Sequence, residues 1–158
     1  MGSDPELTAG AKALADVLEK VSAGFGLGCK VRVVDGEDNE VSASFDGEGA
    51  DALIGRGGAV IDALQYLGSQ IVSRAEGGGR YRVVLDAAGY RSRREASLIA
   101  LANRAAEEAL EFGEEIELDA MTPHDRRIVH MALKDRTDVI TRSEGDEPRR
   151  RIVVEPAD

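Results

Sequence analysis

From Glu6 to Ala23 the apolar residues Leu7, Leu14, Val17, Leu18 and Val21 follow a helical spacing, with Ala11 filling the gap. Gly24, Gly26 and Gly28 end the pattern. The period then shortens to two. Lys30 to Val34 and Glu40 to Phe45 alternate like half-buried strands around the polar turn Asp35-Gly36-Glu37-Asp38-Asn39, which predicts a hairpin. Asp51 to Ile54 reads as a short helical turn. Val60, Ile61, Leu64, Leu67, Ile71 and Val72 mark a helix to about Arg74, broken by Glu76-Gly77-Gly78-Gly79, and Tyr81 to Leu85 reads as a third strand. After the junction Asp86-Ala87-Ala88-Gly89, a long helix is expected from Tyr90 to Phe112, with Leu98, Leu101, Ala102, Ala105, Ala109 and Phe112 as its stripe and Gly113 as its C-cap. Glu115 to Leu118 is a short strand. A last helix opens at Thr122, an N-cap, with Pro123 at its first position and Asp125 placed for reciprocal capping.

Two stretches carry candidate chemistry. The first is Ile54-Gly55-Arg56-Gly57-Gly58-Ala59-Val60-Ile61, between the short helical turn and a helix start. Glycines allow a tight turn and bring backbone N–H groups close to a ligand. A helix beginning just behind adds its dipole and free amides, so the stretch is expected to seat a phosphate. It lacks the terminal Gly-Lys-Ser/Thr of a nucleotide-triphosphate loop and the three-glycine spacing of a dinucleotide fingerprint. The second is the helix after Thr122. On a wheel of about 100° per residue, with Arg126 at zero, His130 falls near 40°, Lys134 near 80° and Arg127 near 100°, opposite Ile128, Val129, Ala132 and Leu133. Arg126, Arg127, His130 and Lys134 are therefore expected on a solvent face as donors for phosphate. Arg91, Arg93 and Arg94 form a secondary basic group, read equally as a solvated helix face.

Charge changes the picture in two ways. The chain of 158 residues carries a net −10, which opposes binding to a polyanion. The distribution is uneven: residues 1–50 hold four basic and ten acidic groups, residues 51–100 seven and five, residues 101–158 nine and fifteen. The middle third, which holds the glycine stretch, is the one with a positive balance. Cys29 is the single cysteine, so a disulfide framework or Cys-rich zinc site is not expected, and with only His124 and His130 a metal site is not expected either. No cofactor is implied. No apolar run approaches the ~18 residues of a membrane span. The acidic N-terminus has no basic flank before an apolar run, so no signal peptide is expected. A cytoplasmic location follows as the expectation.

The glycine stretch resembles the KH signature Ile-Gly-x-x-Gly-x-x-Ile, and the order helix, strand, strand, short helix, GxxG, helix, strand resembles the bacterial type II KH fold. Arg126 and His130, separated by three residues, resemble the R-3-H (Arg-x-x-x-His) signature. Asp135 to Val139 and Thr141 to Pro148 are similar to the strand and turn that follow it there, and Arg149 to Val154 to the closing strand. This tandem resembles the Jag, or SpoIIIJ-associated protein, family, in a short form without the N-terminal domain many members carry. Asp125 stands where members usually have glutamate. The resemblance implies an α+β chain of two small domains. Residues 5–87 would be a type II KH domain, a three-stranded sheet with helices on one face. Residues 88–156 would be an R-3-H domain, helices packed on a small sheet.

It also implies single-stranded nucleic-acid binding, to RNA or to DNA. The GxxG loop would contact the backbone through Ile54, Gly55, Arg56, Gly57, Gly58 and Ile61, with Val60, Val41, Ala43 and Phe45 completing a hydrophobic groove. His130 would either touch nucleic acid or order Arg126. The chain would be a bacterial post-transcriptional regulator or RNA chaperone affecting cell envelope or division. Homodimers, or heterodimers with a small single-KH protein, are implied partners. The alternative is an interaction adaptor with little RNA affinity. An enzyme is not expected, because Asp125 and His130 lie about 140° apart on one helix and no nucleophile motif occurs.

Overall fold

The computed structural model describes residues 6–158. The chain forms two units, one up to Arg91 and one from Ser92. The boundary between these units falls inside a helix. The expected first residue of the leading domain, residue 5, lies outside the described residues.

In the first unit, the Thr8 hydroxyl accepts from the Ala11 amide and caps α1 (Ala9–Gly24). Ala11, Leu14 and Leu18 are its buried stripe. β1 (Lys30–Asp35) and β2 (Glu40–Asp46) pair antiparallel, from Lys30 opposite Asp46 to Asp35 opposite Val41. The hairpin turn places Asp38 at φ 52° and Asn39 at φ 60°. A mirror-image turn needs positive φ at both central residues, and short polar side chains tolerate it.

β2 then pairs parallel with β3 (Arg82–Ala87), Glu40 opposite Arg82 through Phe45 opposite Ala87. Parallel neighbours need a crossover. It consists of a 3-10 turn at Ala50–Leu53, a second at Arg56–Gly58 that contains the glycine stretch, and α2 (Ala59–Ala75). The element order is the one expected from the sequence.

Burial along β2 alternates, with Val41, Ala43 and Phe45 inside. They join Leu14, Leu18, Leu53, Ile61, Val72 and Leu85 in one core. This corrects the reading of Val41, Ala43, Phe45 and Ile61 as walls of an open groove. Successive strand residues point to opposite faces, and the apolar set of β2 is spent on the core. Burial of each large side chain contributes about 1.5–3 kcal/mol, which outweighs any use as exposed surface.

The second unit begins within α3 (Tyr90–Phe112). Leu98, Ala102, Ala105, Ala106 and Ala109 face its core, but Phe112 is 64% exposed, so the stripe stops a turn early. β4 (Ile116–Glu117), β5 (Val139–Glu144) and β6 (Arg151–Pro156) form a sheet in the order β4-β6-β5, antiparallel throughout. α4 (Pro123–Leu133) packs through Val129 and Leu133 against a core that includes Ile152 and Val154. Val153 lies on the other face of central β6, between Arg142 and Glu117 of the flanking strands. There Arg142 pairs with Glu115, Glu144 and Glu155, and Arg151 with Glu117 and Glu144. The molecule is thus α+β with two small sheets. Among the described residues no helix is long and apolar enough to cross a membrane.

Candidate nucleic-acid interface

The glycine loop is built by backbone geometry. Gly55, Gly57 and Gly58 have φ of 73°, 58° and 85°, a region that side chains disfavour. The three differ in what surrounds them. A Cβ on Gly55 would stand 2.8 Å from the Val60 amide nitrogen, and one on Gly58 would stand 2.8 Å from the Tyr90 ring. A Cβ on Gly57 would meet nothing within 4 Å. Gly55 and Gly58 are therefore packing glycines, and Gly57 is the open tip. Arg56 beside it is exposed, while Gly58 is buried.

The amide seat is narrower than the sequence implies. The Gly58, Ala59, Val60 and Ile61 amides already donate to the carbonyls of Gly55, Arg56 and Ile54. The start of α2 therefore offers no row of spare donors, because the tight turn folds the chain back onto its own carbonyls. The exposed part is the Arg56-Gly57 tip, with half-buried Ile54 and exposed Val60 at its base.

Behind the loop lies a network that periodicity does not reveal. Arg91 Nη1 donates to Asp62 Oδ1 at 2.6 Å, Nη2 to Gln65 Oε1 at 3.1 Å and Nε to the Leu85 carbonyl at 3.1 Å. The Arg91 amide donates to Asp86. Arg91 thus ties the first turns of α2 and α3 to β3, and Tyr90 fills the space beside Gly58. As a candidate donor for nucleic acid Arg91 is corrected: its guanidinium is committed within the protein. Neither Tyr90 nor the Asp62–Arg91 pair was legible as part of this loop, since each partner lies about 30 residues away in sequence.

α4 starts as expected, with the Thr122 hydroxyl accepting from the Asp125 amide at 3.2 Å. The carboxylate of Asp125 does not return to complete a capping box. It is buried and accepts from Arg94 Nε at 3.1 Å and Nη2 at 2.8 Å. Arg94 is therefore a strut between α3 and α4. Arg93 is exposed.

The larger correction concerns Arg126, which is only 9% exposed. Its guanidinium pairs with Glu147 and donates to the carbonyls of Met121 at 2.7 Å and Arg150 at 3.5 Å. Glu147 belongs to the turn between β5 and β6, where the Glu147–Pro148 peptide is cis. A charged side chain enters a protein interior when partners satisfy it, and five donors allow a guanidinium to hold several acceptors at once. The wheel also places Arg126 only about 20° from buried Leu133, at the edge of the apolar arc. The Arg126 hydrogen bond, followed by its charge and that of Arg150, holds the Glu147 carboxyl below its ordinary range. Arg126 thus fastens α4 to the strand turn.

His130 is exposed, and its Nδ1 hydrogen-bonds the Thr141 hydroxyl on β5. It does not order Arg126. Arg127 and Lys134 are exposed, and among the described residues neither has an ion-pair partner. Of the four helix residues, Arg127, His130 and Lys134 remain available, joined by His124, which is also exposed. Among the described residues no group of three or more His, Cys, Asp or Glu side chains could hold a metal ion.

Residues 96–156 match the R-3-H domain family. Along 88% of its length the chain is 34% identical to the RNA-binding protein KhpB of Clostridium symbiosum, covering 63% of that protein. It is 36% identical over 90% of its length to RNA-binding protein KhpB of Lactiplantibacillus plantarum and 32% identical over 68% to that of Bacillus subtilis, covering 44% and 52% of those proteins. The chain thus spans about half the length of these curated relatives. The R-3-H match thus runs from α3 to β6, and the similarity to these RNA-binding proteins extends beyond it into the glycine-loop unit.

Proposed function

We propose that this chain binds single-stranded nucleic acid, RNA before DNA, through two surfaces: the Arg56-Gly57 tip of a type II KH domain (residues 5–87) and the exposed side of α4 in an R-3-H domain (residues 88–156). The observation that carries the reading is Gly57. Its φ of 58° and the open space around it present backbone, with no side chain in the way, beside one exposed arginine. That is what a loop clamping a sugar-phosphate backbone requires. The relatives named as RNA-binding proteins support RNA as the ligand. The role is binding without catalysis, in the cytoplasm of a bacterium, as a post-transcriptional regulator or RNA chaperone that affects the cell envelope or division.

The test replaces Arg56 and Gly57 by two aspartates in the full chain. Asp tolerates positive φ better than most residues, so the loop keeps its shape while carboxylates repel phosphate. Titration with single-stranded RNA is expected to show at least a tenfold loss, with circular dichroism unchanged. A folded variant that binds like wild type overturns the loop as the seat.

A second reading, a protein-pairing adaptor, is favoured by one observation. α2 presents Val60, Tyr66 and Leu67 to solvent, the last two 67% and 54% exposed. This side would take a second KH protein or a second copy of this chain. Analytical ultracentrifugation of wild type against Leu67→Glu separates the cases: a dimer lost on substitution supports pairing, and a monomer in both dismisses a self-paired face.

A further inference from the structure

We propose that a groove between α3 and α4 holds one nucleotide of the bound strand, its base in an apolar trough and its phosphate at Arg127 and His124; this rests on the nucleic-acid reading above. The groove has a volume of about 360 Å³ and is lined by Glu95 and Ile99 of α3 and by His124, Arg127, Ile128, Met131 and Ala132 of α4. All of these belong to the second unit.

Three observations converge. The first is the state of the arginines. Arg94, Arg126, Arg136, Arg142 and Arg151 are each engaged by a carboxylate of this unit. Arg127 is exposed and has no such partner among the described residues, so its charge is left for an external anion. The second is the floor. Ile99 and Met131 are 39% and 47% exposed, large apolar side chains facing each other across two helices on a heavily charged surface. Flat bases bind between apolar side chains, and a methionine sulfur adapts to an aromatic face.

The third is size and polarity. The volume lies at the low end of the roughly 300–1,000 Å³ of small-ligand sites. The lining takes one turn of α3 and about two of α4, which suits a single nucleotide and is short for a helical peptide with anchors over two or more turns. Glu95 sets the orientation. A carboxylate repels phosphate but accepts hydrogen bonds from base amino groups, so the base edge lies toward α3 and the phosphate toward α4. The site is separate from Arg126, which is buried against the strand turn, and from His130, which bonds Thr141.

The experiment uses the full chain, a ten-nucleotide single-stranded RNA and a matched RNA with abasic positions. Arg127→Ala is expected to weaken binding about tenfold, as for one charge-assisted contact, and to reduce the salt slope by about one. Met131→Ala is expected to weaken binding severalfold with the salt slope unchanged, and to lose less on the abasic strand. Both side chains are exposed, so both variants stay folded. A loss with Arg127→Ala but none with Met131→Ala leaves a bare phosphate contact and overturns the base pocket. If both bind like wild type while the Arg56→Asp/Gly57→Asp variant does not, the groove is overturned and the loop reading stands. Wild type that binds no single strand overturns both.

Discussion

Arg126 separates a signature from its use. Its polar type and helical position suggest a hand held out to phosphate, yet its guanidinium is turned inward on Met121, Glu147 and Arg150. Arg126→Ala is therefore expected to destabilise the domain by about 1.5–3 kcal/mol through the lost charged donor to the Met121 carbonyl, measured by urea unfolding. Any fall in RNA affinity should track that loss. Arg126→Lys should recover little, since one ammonium cannot reproduce a planar fork on several acceptors. The pair also sets a pH dependence. Glu147 is held below its ordinary value of 4.5, so its contribution is complete above 4.5 and fades as pH falls through the depressed value. Asp138, lowered by its hydrogen bond to Arg136, acts in the same direction. The stability gap between wild type and Glu147→Gln should shrink as pH drops from 6 to below 4.5. A gap that stays constant would show that the ion pair does not fasten the turn. Neither pairing was legible in the sequence, because hydropathy assigns charge to water. The acceptors of Arg126 include a carboxylate 21 residues away, and the partner of Asp125 lies 31 residues away.

At the scale of elements the sequence was more transparent. Helix α3 runs from Tyr90 to Phe112 as its spacing predicts, and α4 begins at Pro123 behind its Thr122 cap. These signals are local: a cap, a ring that fixes φ, a period of apolar residues. Less legible was what the elements meet. Alternation identified β2 but not the destination of its apolar face, which lies against the helices. Nor did the GxxG spacing disclose that Gly58 is glycine because the Tyr90 ring occupies its side-chain space. A double-mutant cycle tests that contact. Gly58→Ala meets both a φ of 85° and the Tyr90 ring, whereas in a Tyr90→Ala background only the backbone strain remains. The coupling in stability is expected to be about 0.5–3 kcal/mol. Additive losses would mean that Tyr90 does not shape the loop.

On the scale of the whole molecule, a net charge of −10 has to coexist with the proposed affinity for a polyanion. Ion pairing resolves part of the conflict. Much of the acidity of the second unit is matched internally, as in the web of Arg142 and Arg151 with Glu115, Glu117, Glu144 and Glu155. The exposed cations Arg56, Arg127 and Lys134 have no ion-pair partner among the described residues. Under the proposed function, few contacts of this kind would give modest affinity at each surface, and two surfaces on one chain would raise it through effective concentration. Overall acidity was legible from composition; which arginines remain uncommitted was not, since that depends on tertiary pairing. The most direct measurement is a titration of the full chain with single-stranded and duplex RNA of the same sequence over a range of salt. Binding to the single strand that exceeds binding to the duplex, and falls linearly in log affinity against log salt with a slope of a few phosphates, is the predicted result. No measurable binding to any single-stranded pool at low salt would contradict it.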